Sequence, residues 1–117
     1  MGSTVLSGPY LLVTGGINHA VTRKSPGIYC LGKTDTRIRK FIIYYTGRAD
    51  DDLAKRLKDH VRKWYPQFKF AYASSPQSAF QWECELCHDF GILGGGGVHP
   101  ARPADSGWKC PRCDVFD

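Results

Sequence analysis

"GIYCLGKTDTRIRKFIIYYTG", residues 27–47, decides how the rest of the chain is read. Its two ends, GIYCLGK (27–33) and RKFIIYYTG (39–47), are rich in β-branched and aromatic residues, the composition of strands. Polar TDTR lies between them, so the stretch reads as an antiparallel hairpin. Downstream, FKFAYAS (68–74) alternates as a third strand. DDDLAKRLKDHVRKWY (50–65) reads as a helix: Leu53, Leu57, Val61 and Trp64 recur at helical spacing, three aspartates crowd the positive end of its dipole, and Pro66 stops it. Ser75 and Pro76 read as the cap and first residue of another helix, which carries AFQWECELCHDF (79–90) and closes at Gly91. Upstream, YLLV (10–13) reads as an edge strand and TGGINH as a turn. The expected fold is α+β: a small antiparallel sheet of about three strands flanked by helices.

A length of 117 residues with 42% hydrophobic residues suits one domain. Within it, 1–25 reads as an N-terminal extension, 26–90 as the core and 84–117 as a tail too rich in Gly and Pro to bury a core of its own. No stretch reads as a membrane span, and Met1 to Val13 lacks the basic start and apolar block of a secretory leader. The expectation is a cytoplasmic, reducing setting, in which five cysteines argue for metal or catalysis rather than disulfides. Charge is uneven. Residues 23–69 hold 13 of the 16 Lys/Arg against 5 of the 11 Asp/Glu, a local surplus of eight positive charges, interleaved with aromatic residues. Such a block suits a polyanion, with Lys33, Arg48, Lys55, Arg62 and Lys63 as expected phosphate contacts, although basic residues also serve solubility.

Cys84, Cys87, Cys110 and Cys113 form two Cys-x2-Cys pairs across a long gap, the pattern of a tetrahedral structural zinc site. At about 100° per helical residue, Cys84 lies close in azimuth to both Cys87 and His88, so either pair can offer the helical half; His99 is a third possibility. A closed site would staple the tail to the helix. Cys30, within a strand, reads as a small core residue.

Two helices carry polar residues where apolar ones belong. Ala79, Trp82, Leu86 and Phe90 share one arc of the last helix, and Glu83 falls inside it. Burying an unpaired carboxylate costs several kcal/mol, so Glu83 either pairs with an arginine or binds a cation. His60 sits in the Leu53/Leu57/Val61/Trp64 stripe with Arg56 at its edge, as a satisfied core histidine or a catalyst. Taken together they suggest a shared polar cleft, with Arg56 for a phosphate and Glu83 for a hard divalent ion.

These residues carry a resemblance to the GIY-YIG nuclease family. Gly27-Ile28-Tyr29 is the first tripeptide, Tyr45-Thr46-Gly47 fills the second, RADDDLAKRLKDH supplies the family helix with Arg56 and His60, and AFQWE supplies the glutamate. The resemblance spans residues 26–90 and is closest to small stand-alone members with a cysteine-bearing HP-x-RP … WKCPRC tail. Thr46 departs from the usual Ile, the gap between tripeptides is long, and an Asn some members place after the glutamate is absent. The resemblance implies a DNA endonuclease using one Mg²⁺ or Mn²⁺ held by Glu83. Tyr29 would activate water, its pKa lowered by a cation such as Arg48 or by the metal. Tyr45 would join that network, Arg56 would stabilise phosphoryl charge, and His60 would orient the water or contact phosphate. It also tilts the zinc ligands to Cys84, His88, Cys110 and Cys113, with Cys87 as the alternative to His88. DNA, branched or single-stranded, is the expected partner, with RNA and a targeting protein left open and no membrane. The competing expectations are a non-catalytic zinc-containing nucleic-acid-binding module and a protein-interaction adaptor.

Overall fold

The computed structural model describes residues 6–61, 63, 65–90, 100, 102–103 and 106–112. Four strands, β1 (Ser7–Leu11), β2 (Gly27–Asp35), β3 (Lys40–Ala49) and β4 (Gln67–Tyr72), form one sheet in the order β1-β4-β2-β3. Every neighbouring pair is antiparallel. Three helices accompany them: α1 (Thr14–Ala20), α2 (Leu53–Lys58) and α3 (Pro76–Phe90). The expected α+β class and central hairpin are present, with four strands where about three were expected.

β2 is covered on both sides, which is why its first six residues are all buried. Strand alternation sends Tyr29 and Leu31 into a cluster with Leu12, Ile17, Val21, Leu53, Leu57, Phe68 and Phe70, beneath α1 and α2. Ile28 and Cys30 point the other way, against Ala79 and Leu86 of α3. Each large apolar side chain so buried contributes roughly 1.5–3 kcal/mol. A bulge in β3 matters for the site. Leu31 pairs with Tyr45 but Gly32 with Ile43, so Tyr44 is the extra residue. Without it Ile43 and Tyr45 would share a face; with it Tyr45 packs beside Tyr29 while Ile43 packs under α3.

The N-terminal segment corrects the sequence reading twice. The edge strand there runs Ser7–Leu11 rather than 10–13, and TGGINH is helix rather than turn. Leu12, Ile17 and Val21 enter the larger core cluster with residues of β2, α2 and β4. Helix α2 is much shorter than 50–65. Asp52 caps it by accepting from the Lys55 amide at 3.2 Å. After Lys58 the chain tightens to bonds three residues back, His60 N to Leu57 O at 3.0 Å and Lys63 N to His60 O at 2.9 Å. That winding puts His60 directly below Leu57, facing the sheet. Trp64, expected in the same stripe, lies outside the described residues.

α3 begins as expected. The Ser75 hydroxyl accepts from the Ser78 amide at 3.1 Å, and the Ser75 carbonyl from the Ala79 amide at 3.0 Å. One stripe of α3 packs on the sheet through Ala79 and Leu86, with Trp82 half-buried beside them. A second, Phe80 and Cys84, meets Cys110 and Trp108 of the tail; the Phe90 side chain lies outside the described residues. Among the described residues no helix is long and apolar enough to cross a membrane.

Candidate active site

The two tyrosines of the hairpin meet the helix residues on one face of the sheet. The Tyr29 hydroxyl lies 2.8 Å from His60 Nε2. Tyr29 and Tyr45 stack with ring centroids 6.4 Å apart, and His60 sits tilted 5.3 Å from each ring. Gly47 makes this packing feasible. It lies directly opposite Tyr29 in the register, and a Cβ there would overlap the tyrosine hydroxyl. The glycine of YTG is thus the floor on which Tyr29 lies.

Electrostatics at this cluster favour neutral forms. Burial pushes the Tyr29 hydroxyl well above the ordinary tyrosine value; Arg56, near enough to hydrogen-bond it, opposes that shift, and Tyr45 and Glu83 add to it. The sequence expectation of Arg48 as the cation lowering this pKa is therefore corrected: the cation facing Tyr29 is Arg56, and desolvation outweighs it. His60 is only 2% exposed. Burial, then Arg56 and Lys63, lower its pKa to about 4. The Tyr29 hydroxyl and His60 Nε2 share a hydrogen bond whose direction follows the His60 tautomer, and Nδ1 has no partner among the described residues. Arg56 itself is about half exposed and pairs with Asp59 at 3.5 Å.

Glu83 is buried as the helical wheel implies, but on the opposite face of the sheet from the tyrosines. Its Oε1 accepts from Arg48 Nη1 at 2.8 Å, and the same guanidinium donates through Nε to Asp50 at 2.9 Å. Arg48 also lies over the Phe80 ring, 5.1 Å from its centroid. Of the two readings of Glu83, pairing with an arginine is the one the coordinates show. Arg48, expected on phosphate, is this partner. Alternation from Gly47 already assigns Arg48 to the α3 face, so the hairpin register carried that signal. The two faces meet only through their arginines, and neither Glu83, the tyrosines nor His60 lines the opening between them. A cleft of about 330 Å³ at the end of β3 and the start of α2 is lined by Arg48 from one face and Arg56 from the other, with Lys55, Asp50, Asp51, Asp52 and Asp59 around them. The aspartates, read from sequence only as helix-end charges, are its acidic wall. Of the other expected phosphate contacts, Lys33 lies on the ribbon end of β2, Lys63 is exposed after α2, and Arg62 lies outside the described residues.

The tail cysteines separate into two environments. Cys84 and Cys110 share a buried cluster with Phe80, and Cys110 Sγ is 3.4 Å from His88 Nε2. The Arg112 amide donates to the Cys110 sulfur at 3.4 Å. Cys87 turns to the sheet instead, 3.0 Å from Thr46 Oγ1. Burial, reinforced by Cys110, pushes the Cys84 thiol up. Among the described residues no three metal-capable side chains close on one point, and the expected ligand Cys113 and the alternative His99 lie outside them. The described tail is also held by other contacts: Trp108 on Phe80 at 6.1 Å between centroids, and an Arg112–Asp89 ion pair.

Compared with models of protein families, with curated proteins and with solved structures, the chain finds no match in any of the three.

Proposed function

We propose that the protein is a divalent-metal-dependent endonuclease that hydrolyses DNA phosphodiester bonds at the cleft between Arg48 and Arg56. One observation carries the reading: Tyr29 and Tyr45 of the hairpin converge with His60 of the turn after α2, beside an Arg56 that opens onto the cleft. The resemblance to GIY-YIG nucleases, drawn on the same residues, agrees with it.

Arg56 binds the scissile phosphate and stabilises charge growing on its oxygens. Tyr29 and His60 act as one unit. To take a proton from water, Tyr29 hands its own to Nε2, the atom it already bonds. His60 is a weak base because burial, and then Arg56, disfavour its charged form. An anionic phosphate on Arg56 offsets the arginine's part and raises the basicity of His60 when substrate is present. Glu83 offers hard oxygen of the kind Mg²⁺ or Mn²⁺ prefers, and an ion bound through one carboxylate and waters is usual for Mg²⁺. Arg48 holds that carboxylate, yet already shares a bond with Asp50 and can shift to it. The ion would supply neutralisation of the phosphoryl and leaving oxygens. A structural zinc would use Cys84, His88, Cys110 and Cys113, since Cys87 is engaged with Thr46.

The test is nicking of supercoiled, branched and single-stranded DNA with and without Mg²⁺ or Mn²⁺. Glu83→Gln is expected to lose on the order of 10²-fold or more in cleavage while still binding DNA; unchanged cleavage removes Glu83 from the site. A second reading, a non-catalytic nucleic-acid-binding module, draws on one fact: Tyr29 is fully buried and its hydroxyl is committed to His60. Salt-sensitive DNA binding with no cleavage under either metal would establish that reading instead.

A further inference from the structure

The hairpin tip carries a feature for which the cleft has no use. β4 pairs with β2 only as far as Gly32↔Gln67, whereas β2 and β3 remain paired to Asp35↔Lys40. Lys33–Asp35 and residues 40–42 therefore form a two-stranded ribbon that outruns the third strand. Its base is pinned, because the Thr34 amide and hydroxyl both donate to Gln67 Oε1, at 2.7 and 2.9 Å. Its turn is set as well: Asp35 Oδ1 accepts from the Arg37 amide at 3.0 Å, and Arg39 takes a φ of 57°. Residues 36–40 are all exposed. Ile38 stands at the summit, 54% exposed, between Arg37 and Arg39, with Lys33 and Lys40 below and Asp35, paired with Arg37 at 3.5 Å, as the one acid of the ribbon.

An isoleucine held in water at the tip of a formed turn adds nothing to the core and costs solvation. Four cations around it favour an anionic partner, and an apolar side chain among them favours one with an apolar interior. Duplex DNA offers both. A ribbon tip with one apolar residue between two arginines suits the minor groove, roughly 6 Å wide, whose negative potential draws arginine and where apolar side chains wedge between base steps. Because the tip is preset, little ordering cost falls on binding.

Resting on the nuclease reading for its choice of nucleic acid, we propose that Arg37, Ile38 and Arg39 enter the minor groove of duplex DNA, Ile38 wedging at a base step. The tip lies one strand length from the cleft. Ten residues of β3 span about 30 Å, or about nine base pairs of B-form duplex, which is the expected offset between wedged step and cut.

The experiment measures binding in EDTA, where no cleavage occurs, using fluorescence anisotropy and a duplex carrying 2-aminopurine to report unstacking. The parent is expected to bind and to raise 2-aminopurine emission. Ile38→Ser is expected to bind on the order of tenfold more weakly without that rise, and Ile38→Phe to keep both. Arg37→Gln and Arg39→Gln should each lower the slope of log affinity against log salt by about one. Parental binding and unstacking in Ile38→Ser would overturn the proposal, as would failure of the parent to bind duplex. Ile38-dependent binding by a protein that never cuts would uphold it while refuting the nuclease.

Discussion

At the scale of single residues, the site is organised by Gly47 and His60. Gly47→Ala drives a methyl group into the Tyr29 hydroxyl. Overpacking of this kind typically costs about 1–3 kcal/mol, and urea unfolding of the variant should show a loss in that range. His60 predicts a pH effect. Its pKa is about 4 in the fold against 6.5 for an ordinary histidine. Above pH 6.5 it is neutral whether folded or not, and its contribution is complete. As the pH falls from 6.5 to 4 the unfolded chain takes up the proton first, so stability drops, by a few kcal/mol at most, and then levels off. His60→Gln should flatten this part of the stability profile, as measured by chemical unfolding at a series of pH values. His60 and Glu83 were legible in the sequence because they broke an apolar stripe. Their partners were less so: that Glu83 meets Arg48, and that burial outweighs Arg56 at Tyr29, depend on distances across the sheet.

At the scale of elements, the hairpin and α3 followed from local chemistry, whereas α1 and the end of α2 did not. Two adjacent glycines made TGGINH look like a turn, since glycine is a poor helix former. Tertiary contact overrides that preference by burying Ile17 completely. The two glycines differ in their surroundings. A Cβ at Gly15 meets nothing within 4 Å, while one at Gly16 would overlap the Leu11 carbonyl. Gly15→Ala should therefore raise stability by about 0.5–1 kcal/mol, and Gly16→Ala should lower it, both measurable by thermal unfolding. The early end of α2 was hidden because spacing of three and spacing of four both look helical over one turn. The bulge at Tyr44 was hidden because KFIIYY is apolar on both parities, so alternation could not show which residue is extra.

At the scale of the whole molecule, two faces of one sheet are served by different helices and meet at one cleft. α2 and the chain after it bring Arg56 and His60 to the tyrosines; α3 brings Glu83 to Arg48 and Cys84 to the tail. If zinc closes the Cys84, His88, Cys110 and Cys113 set, loading it should raise the melting temperature by on the order of 5–10 °C, and Cys84→Ser should remove the rise. The sequence spacing pointed to that metal and left Cys87 and His88 both open, and Cys87 turns towards Thr46.

The central claim is that the Arg56 guanidinium, beside Tyr29 and open to the cleft, stabilises a phosphodiester transition state. Its most direct test is the single-turnover rate of Mg²⁺-dependent DNA cleavage by parent and Arg56→Ala at saturating protein. The account predicts a fall on the order of 10²–10³-fold with the fold intact. Equal rates would contradict it.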